Sequence, residues 1–129
     1  MYKASTHNAF EKNFKKISAA YQAAVLTELD NIQANPSIGE ITKGNLHKLD
    51  IKKRPIKKTN PEYRVLYKVY KCQTKDKSIK KLTCPLEVVH ADATELNACE
   101  GLVDFLICGT REMFNNFYKL PMDKLKQYL

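Results

Sequence analysis

The sequence predicts an α+β fold: an N-terminal helical hairpin packed on a small antiparallel β-sheet, in a single domain spanning residues 1–129. Three observations predict it. Apolar residues recur at steps of three and four from Phe10 to Ile32, the pattern changes to period two after Gly44, and a continuously apolar run, VDFLICG, lies near the end. Helices first and strands afterwards argue for a helix layer on a sheet, not for the alternating units of a parallel α/β fold. The length of 129 residues is about one domain, and no internal repeat or low-complexity linker divides it.

Phe10, Phe14, Ile17, Tyr21, Val25, Leu29 and Ile32 draw one stripe along a helix. An unbroken helix from Phe10 to Ala34 would run about 38 Å, long for a domain of this size, so a break is expected near ISAAY. Pro36 disfavours helical geometry at Asn35 and ends the second helix. Next, LHKLDIKK reads as the first strand of a hairpin, with His47, Leu49 and Ile51 on one face and Lys48, Asp50 and Lys52 on the other. In YRVLYKVYKC, Tyr63, Val65, Tyr67 and Val69 form the face expected to lie on the helices, leaving Arg64, Leu66, Lys68 and Tyr70 on an open face. Residues 73–81 are polar and read as a hairpin tip; LEVVHA is a candidate short strand, and DATELNACEG a candidate helix capped by Asp92 and terminated by Gly101. VDFLICG reads as a strand covered on both sides, followed by a last helix through Phe114, Phe117 and Tyr118 that Pro121 interrupts or restarts. The leading YKAST is a candidate edge strand.

With 22 Lys+Arg against 14 Asp+Glu the formal net charge is +8, which suits an anionic partner such as nucleic acid. Residues 43–81 hold 14 of those basic residues against Asp50, Glu62 and Asp76, whereas residues 82–110 hold five acids and no Lys or Arg. Cys72, Cys84, Cys99 and Cys108 form no C-x-x-C pair, so free thiols are expected and neither a zinc site nor a redox motif is indicated. The opening MYKASTHNAFEK lacks a signal-peptide apolar region, and no run of about 18 apolar residues marks a membrane span. A cytoplasmic chain without metal or cofactor is the expectation.

Arg64 and Lys68 on the open face, Arg111 directly after ICGT, and Lys48 and Lys52 from the hairpin partner would gather fixed cations. Arginine presents a fork of donors matched to phosphate oxygens, and lysine adds point charge. Lys53 and Arg54 continue the same basic run, so Lys48, Lys53, Arg54 and Lys68 are candidate phosphate-binding residues around Arg64 and Arg111. The plainer readings are an exposed pair of Arg64 with Glu62 or Asp50, and a Thr110-capped turn for GTRE. His47, sharing its face with Leu49 and Ile51, reads as a partly buried structural histidine, and His7 and His90 carry no separate functional signal.

NPSIGE, GNLHKLDIK, EYRVLYKV and FLICGTREMFNNFYK, in that order, resemble the RelE/ParE superfamily of bacterial type II toxins over residues 8–71 and 103–119. The resemblance implies a helical hairpin before a small antiparallel sheet, with residues 72–102 as an insertion before the last strand. It further implies an RNA-cutting toxin of the RelE-like branch, which acts on messenger RNA in the ribosomal A site, blocks translation, and is neutralised by a cognate antitoxin. Attack of a 2′-OH on the adjacent phosphate would then use Arg64 and Arg111 as phosphate stabilisers, Lys52 (with Lys48) for charge or base character, and Tyr118 to stack on or orient a base. The pattern departs from the best-known members in having Glu112, not histidine, after Arg111, so no general acid is assigned. Two other functions remain open on the same fold: a ParE-like inhibitor of DNA gyrase, and an inactive toxin-fold module that binds an antitoxin or nucleic acid.

Overall fold

A computed structural model describes residues 2–57, 59, 61–71, 73–76, 81–83 and 101–129. The elements run β1 (Lys3–Thr6), α1 (Asn8–Lys15), α2 (Ala19–Ala34), a 3-10 turn (Pro36–Ile38), β2 (Glu40–Ile41), α3 (Gly44–Lys48), β3 (Ile51–Ile56), β4 (Tyr63–Lys71), β5 (Gln73–Asp76), β6 (Lys81–Thr83), β7 (Gly101–Thr110), α4 (Arg111–Tyr118) and α5 (Met122–Lys126). The α+β class and the helical hairpin hold. His7 caps α1, its Nδ1 accepting the Ala9 N–H at 3.0 Å, and the break before α2 falls at residues 16–18. Asn35 is extended ahead of Pro36, which ends α2.

The five-stranded sheet has the order β1-β7-β4-β3-β2. It is mixed where an antiparallel sheet was expected: β1 lies parallel to β7, with Ala4 opposite Val103, while the β7-β4, β4-β3 and β3-β2 pairs are antiparallel. A parallel neighbour needs a long crossover, and the edge strand at the start of the chain has nearly the whole domain in which to make one. β5 and β6 form a separate antiparallel pair inside the expected insertion, and β7 claims residues 101 and 102 from its far end. The strand expected at LEVVHA and the helix expected at DATELNACEG lie outside the described residues.

Both faces of the sheet are covered. Val65 and Tyr67 pack with Phe10, Val25, Leu29 and Ile32 under the helical hairpin, as the alternation of β4 required. On the opposite face, expected to be open, Leu66 and Ile51 pack with Leu46, Phe114, Phe117 and Leu125 from α3, α4 and α5. A β-bulge supplies the rest. Leu66 pairs with Ile107 but Tyr67 with Phe105, which leaves Leu106 as the extra residue. Phe105 and Cys108 therefore both enter the hairpin core, while Leu106 and Ile107 both enter the second one.

The LHKLDIKK strand is corrected as well. Gly44, at φ +58, opens the single helical turn of α3, and Asp50, at φ +56, closes the turn before β3 begins at Ile51. His47 and Lys48 are consequently exposed helix residues, not members of a strand face. Thr42 anchors this corner, its hydroxyl donating to the Ile51 carbonyl at 2.5 Å.

Candidate functional site

Arg64 lies on the same face of β4 as Leu66, between Pro55 of β3 and Gly109 of β7 in the cross-strand register. Neither neighbour has a long side chain, so the guanidinium extends beyond the sheet toward α4. A side chain at Gly109 would collide with α4, since its Cβ would sit 2.5 Å from Met113 Sδ. The Arg64 guanidinium lies 5.9 Å from the centre of the Phe114 ring, and its Nε is 3.6 Å from Glu62 Oε1. The expected Glu62 pairing is therefore present, but loose and partly exposed, which makes it a weak tether.

The last helix brings the second arginine. Arg111 is the first residue of α4, and Asn115 and Tyr118 follow at spacings of four and three, so all three share a face while Phe114 and Phe117 bury the other. This face and the sheet enclose a cleft of about 530 Å³ lined by Arg64, Arg111, Asn115 and Tyr118 together with Lys43, Lys53 and Lys119. Five cations among the described residues thus line one site. Glu40 partners Lys53 only at 3.9 Å. Arg64 and Arg111 also border an adjoining depression of about 550 Å³ lined by Pro61, Glu62, Thr110 and Glu112.

Burial pushes the Tyr118 hydroxyl above its ordinary pKa, against the opposing pull of Arg64 and the Lys43 main chain. It stays protonated at neutral pH and can donate a hydrogen bond to a bound anion. Arginines from β4 and α4, flanked by three lysines and a phenol, suit a phosphodiester beside a planar base.

Of the residues expected at such a site, the fold brings together Arg64, Arg111, Tyr118 and Lys53. It separates the others. Lys52 pairs across the strands with Tyr67 and therefore faces the helical hairpin, because directly opposed residues share a face. The alternation along β3 was sound, but with a second core present it is Ile51 and Lys53 that face α4. Arg54, on the Lys52 side, donates from Nε to Glu28 Oε1 at 2.6 Å and from a terminal nitrogen to the Ile38 carbonyl at 3.3 Å. Lys48 stands on α3, and Lys68 donates to the Leu49 carbonyl and lies 5.5 Å from the Tyr70 ring centre. Lys43, Asn115 and Lys119 were missed. The spacing from Arg111 could have found Asn115, whereas Lys43 reaches the cleft only through the anchored turn before α3.

Among the described residues no three His, Cys, Asp or Glu side chains group as metal ligands, and no helix is long and apolar enough to cross a membrane. Comparison with protein-family models, curated proteins and solved structures finds no match to this chain.

Proposed function

We propose that this chain is an endoribonuclease toxin of the RelE-like kind, cutting messenger RNA through attack of a ribose 2′-OH on the neighbouring phosphate. The observation that carries this reading is the meeting of Arg64 and Arg111 in one cleft with Lys53 and Tyr118. The two guanidiniums hold the non-bridging oxygens and offset the charge that grows on them in the transition state. Lys43, Lys53 and Lys119 attract the flanking phosphates, and Tyr118, kept protonated, donates to an oxygen of the scissile group or orients a base. The chemistry needs no metal. Its partners are messenger RNA on the ribosome and an antitoxin that covers the same cations when the toxin is held inactive; the cytoplasm is where these partners meet.

The test is cleavage of messenger RNA on programmed ribosomes and of free RNA by the purified chain, in the presence of a chelator, with analysis of the product ends. Products ending in a 2′,3′-cyclic phosphate and a 5′-hydroxyl are expected. Arg64→Ala should lower the rate more than about tenfold with an unchanged circular dichroism spectrum, because it removes transition-state stabilisation of a few kcal/mol and little core packing. Intact RNA together with an SOS response and filamentation on expression would instead favour gyrase as the target.

A further inference from the structure

The two depressions that meet at Arg64 and Arg111 differ in charge. One carries Lys43, Lys53 and Lys119, and the other carries Glu62 and Glu112. A ribonucleotide strand with one phosphodiester on the arginine pair can lay its further phosphates along the lysine half. A phosphate in the carboxylate half would meet like charge, whereas ribose hydroxyls there offer donors to acceptors. Glu62 stands just ahead of β4, two residues before Arg64, and its carboxylate lies 3.6 Å from the guanidinium, in the depression that both arginines border.

Glu112 and Glu40 have other reasons for their positions. Glu112 stands in the first turn of α4, where a carboxylate offsets the positive end of the helix dipole. Glu40 pairs with Lys53 across the β2-β3 ladder, and its charge acts on Tyr118, so it belongs to the lysine half of the site.

Resting on the endoribonuclease reading, we propose that Glu62 is the general base. The nucleotide bearing the attacking 2′-OH lies in the carboxylate half, and the leaving nucleotide lies in the lysine half against Tyr118. The 2′ O–H bond breaks with its proton passing to the Glu62 carboxylate, and the freed electron pair forms the 2′-O–P bond. The P–O5′ bond then breaks, and O5′ takes the proton of the Tyr118 hydroxyl. Glu62 releases its proton to solvent and Tyr118 regains one, which closes the cycle on a 2′,3′-cyclic phosphate and a 5′-hydroxyl.

The experiment is single-turnover cleavage of an oligoribonucleotide, free and as messenger on programmed ribosomes, with either the ordinary 5′-oxygen or a bridging 5′-sulfur at the cut. Glu62→Gln should slow cleavage by about 100-fold or more while RNA affinity stays within about threefold, and it should flatten the acidic limb of the pH-rate profile. Glu62→Asp should retain that limb. Sulfur leaves without needing a proton, so the 5′-thio substrate should restore Tyr118→Phe and leave Glu62→Gln slow. Cleavage by Glu62→Gln within about threefold of the unaltered chain, or its rescue by sulfur, would overturn the assignment while leaving the endoribonuclease reading in place. Failure of the unaltered chain to cut either substrate would overturn that reading, and this proposal with it.

Discussion

Substituting Gly39 by alanine tests how the cleft's outer wall is held. Gly39 has φ −70 and ψ 155, an ordinary extended conformation that alanine adopts freely, so its backbone alone does not require glycine. The restriction comes from Tyr67. A Cβ at Gly39 would lie 2.7 Å from Tyr67 Cζ and 2.9 Å from Cε1, and closer still to the hydroxyl. That ring is fully buried, and its hydroxyl donates to the Pro36 carbonyl at 2.6 Å while the Gly39 main chain donates to it. Alanine must therefore displace either the ring or the turn.

Overpacking of this kind costs about 1–3 kcal/mol, and a buried carbonyl left without its donor adds about 1–3 kcal/mol. A loss of about 3 kcal/mol is expected for Gly39→Ala, or roughly 10 °C in Tm for a domain of this size. Tyr67→Phe alone should cost about 1–2 kcal/mol, because the Pro36 carbonyl loses its partner. Without the hydroxyl the closest clash disappears but the ring carbons remain, so the double variant should recover about 1 kcal/mol relative to additivity. Urea melts of the four proteins, followed by circular dichroism, measure the cycle. Gly39→Ala within about 0.5 kcal/mol of the unaltered chain, or strict additivity with Tyr67→Phe, would refute the reasoning.

Further outcomes follow from other parts of the fold. Lys53→Gln should weaken binding of a fluorescent oligoribonucleotide and reduce the slope of log affinity against log salt by about one, whereas Lys52→Gln, on the hairpin side, should change neither; anisotropy titrations across a salt series decide. Gly44→Ala should cost about 1–2 kcal/mol through backbone alone, since φ is +58 and nothing lies within 4 Å of the added Cβ; thermal melts measure it. Burial pushes Cys108 from 9.0 up to about 12 and Tyr67 from 10.0 up to about 12, so both stay neutral in the fold while the unfolded chain ionises first. Their contribution is complete below pH 9 and is lost as pH rises toward 12, and urea midpoints from pH 8 to pH 11 should fall less steeply in Cys108→Ala than in the unaltered chain.

Much of the fold was legible because periodicity records which side of an element is covered. The stripe from Phe10 to Ile32 and the Tyr63, Val65, Tyr67, Val69 face both meet in the hairpin core. Periodicity does not reveal how many layers cover a sheet. Leu66, flanked on its own face by Arg64 and Lys68, looked like a lone apolar residue on an open surface, yet it is fully buried beneath α4. The local signs of that second layer were the unbroken apolar run of β7, which a bulge distributes to both sides, and the phenylalanine pair of α4. Positive φ at Gly44 and Asp50 is likewise invisible to a period-two template, and it is why the strand pattern could not be extended backward from Ile51. Arg54 was misplaced for a different reason: its partner, Glu28, lies 26 residues away on α2.

The charge pattern guided the candidate site only partway, because density of charge is not convergence of charge. Lys43, Lys53 and Arg64 come from the basic block, but Arg111 and Lys119 come from the far end of the chain, after the acidic stretch. Convergence depends on apolar anchoring. Phe114 and Phe117 seat α4 on Leu66, Leu106 and Ile107, and that seating fixes Arg111, Asn115 and Tyr118 over Arg64. On the other wall, the Thr42 hydroxyl on the Ile51 carbonyl and the Tyr67 hydroxyl on the Pro36 carbonyl hold the segment leading to Lys43. With these backbone positions fixed, α4 and the turn before α3 do not have to be ordered when an anion arrives, although the exposed side chains of Lys43, Arg111 and Lys119 still do. The residues that set the strength of the cleft therefore include the apolar contacts beneath it, and a substitution such as Phe117→Ala should weaken RNA binding without touching a charge.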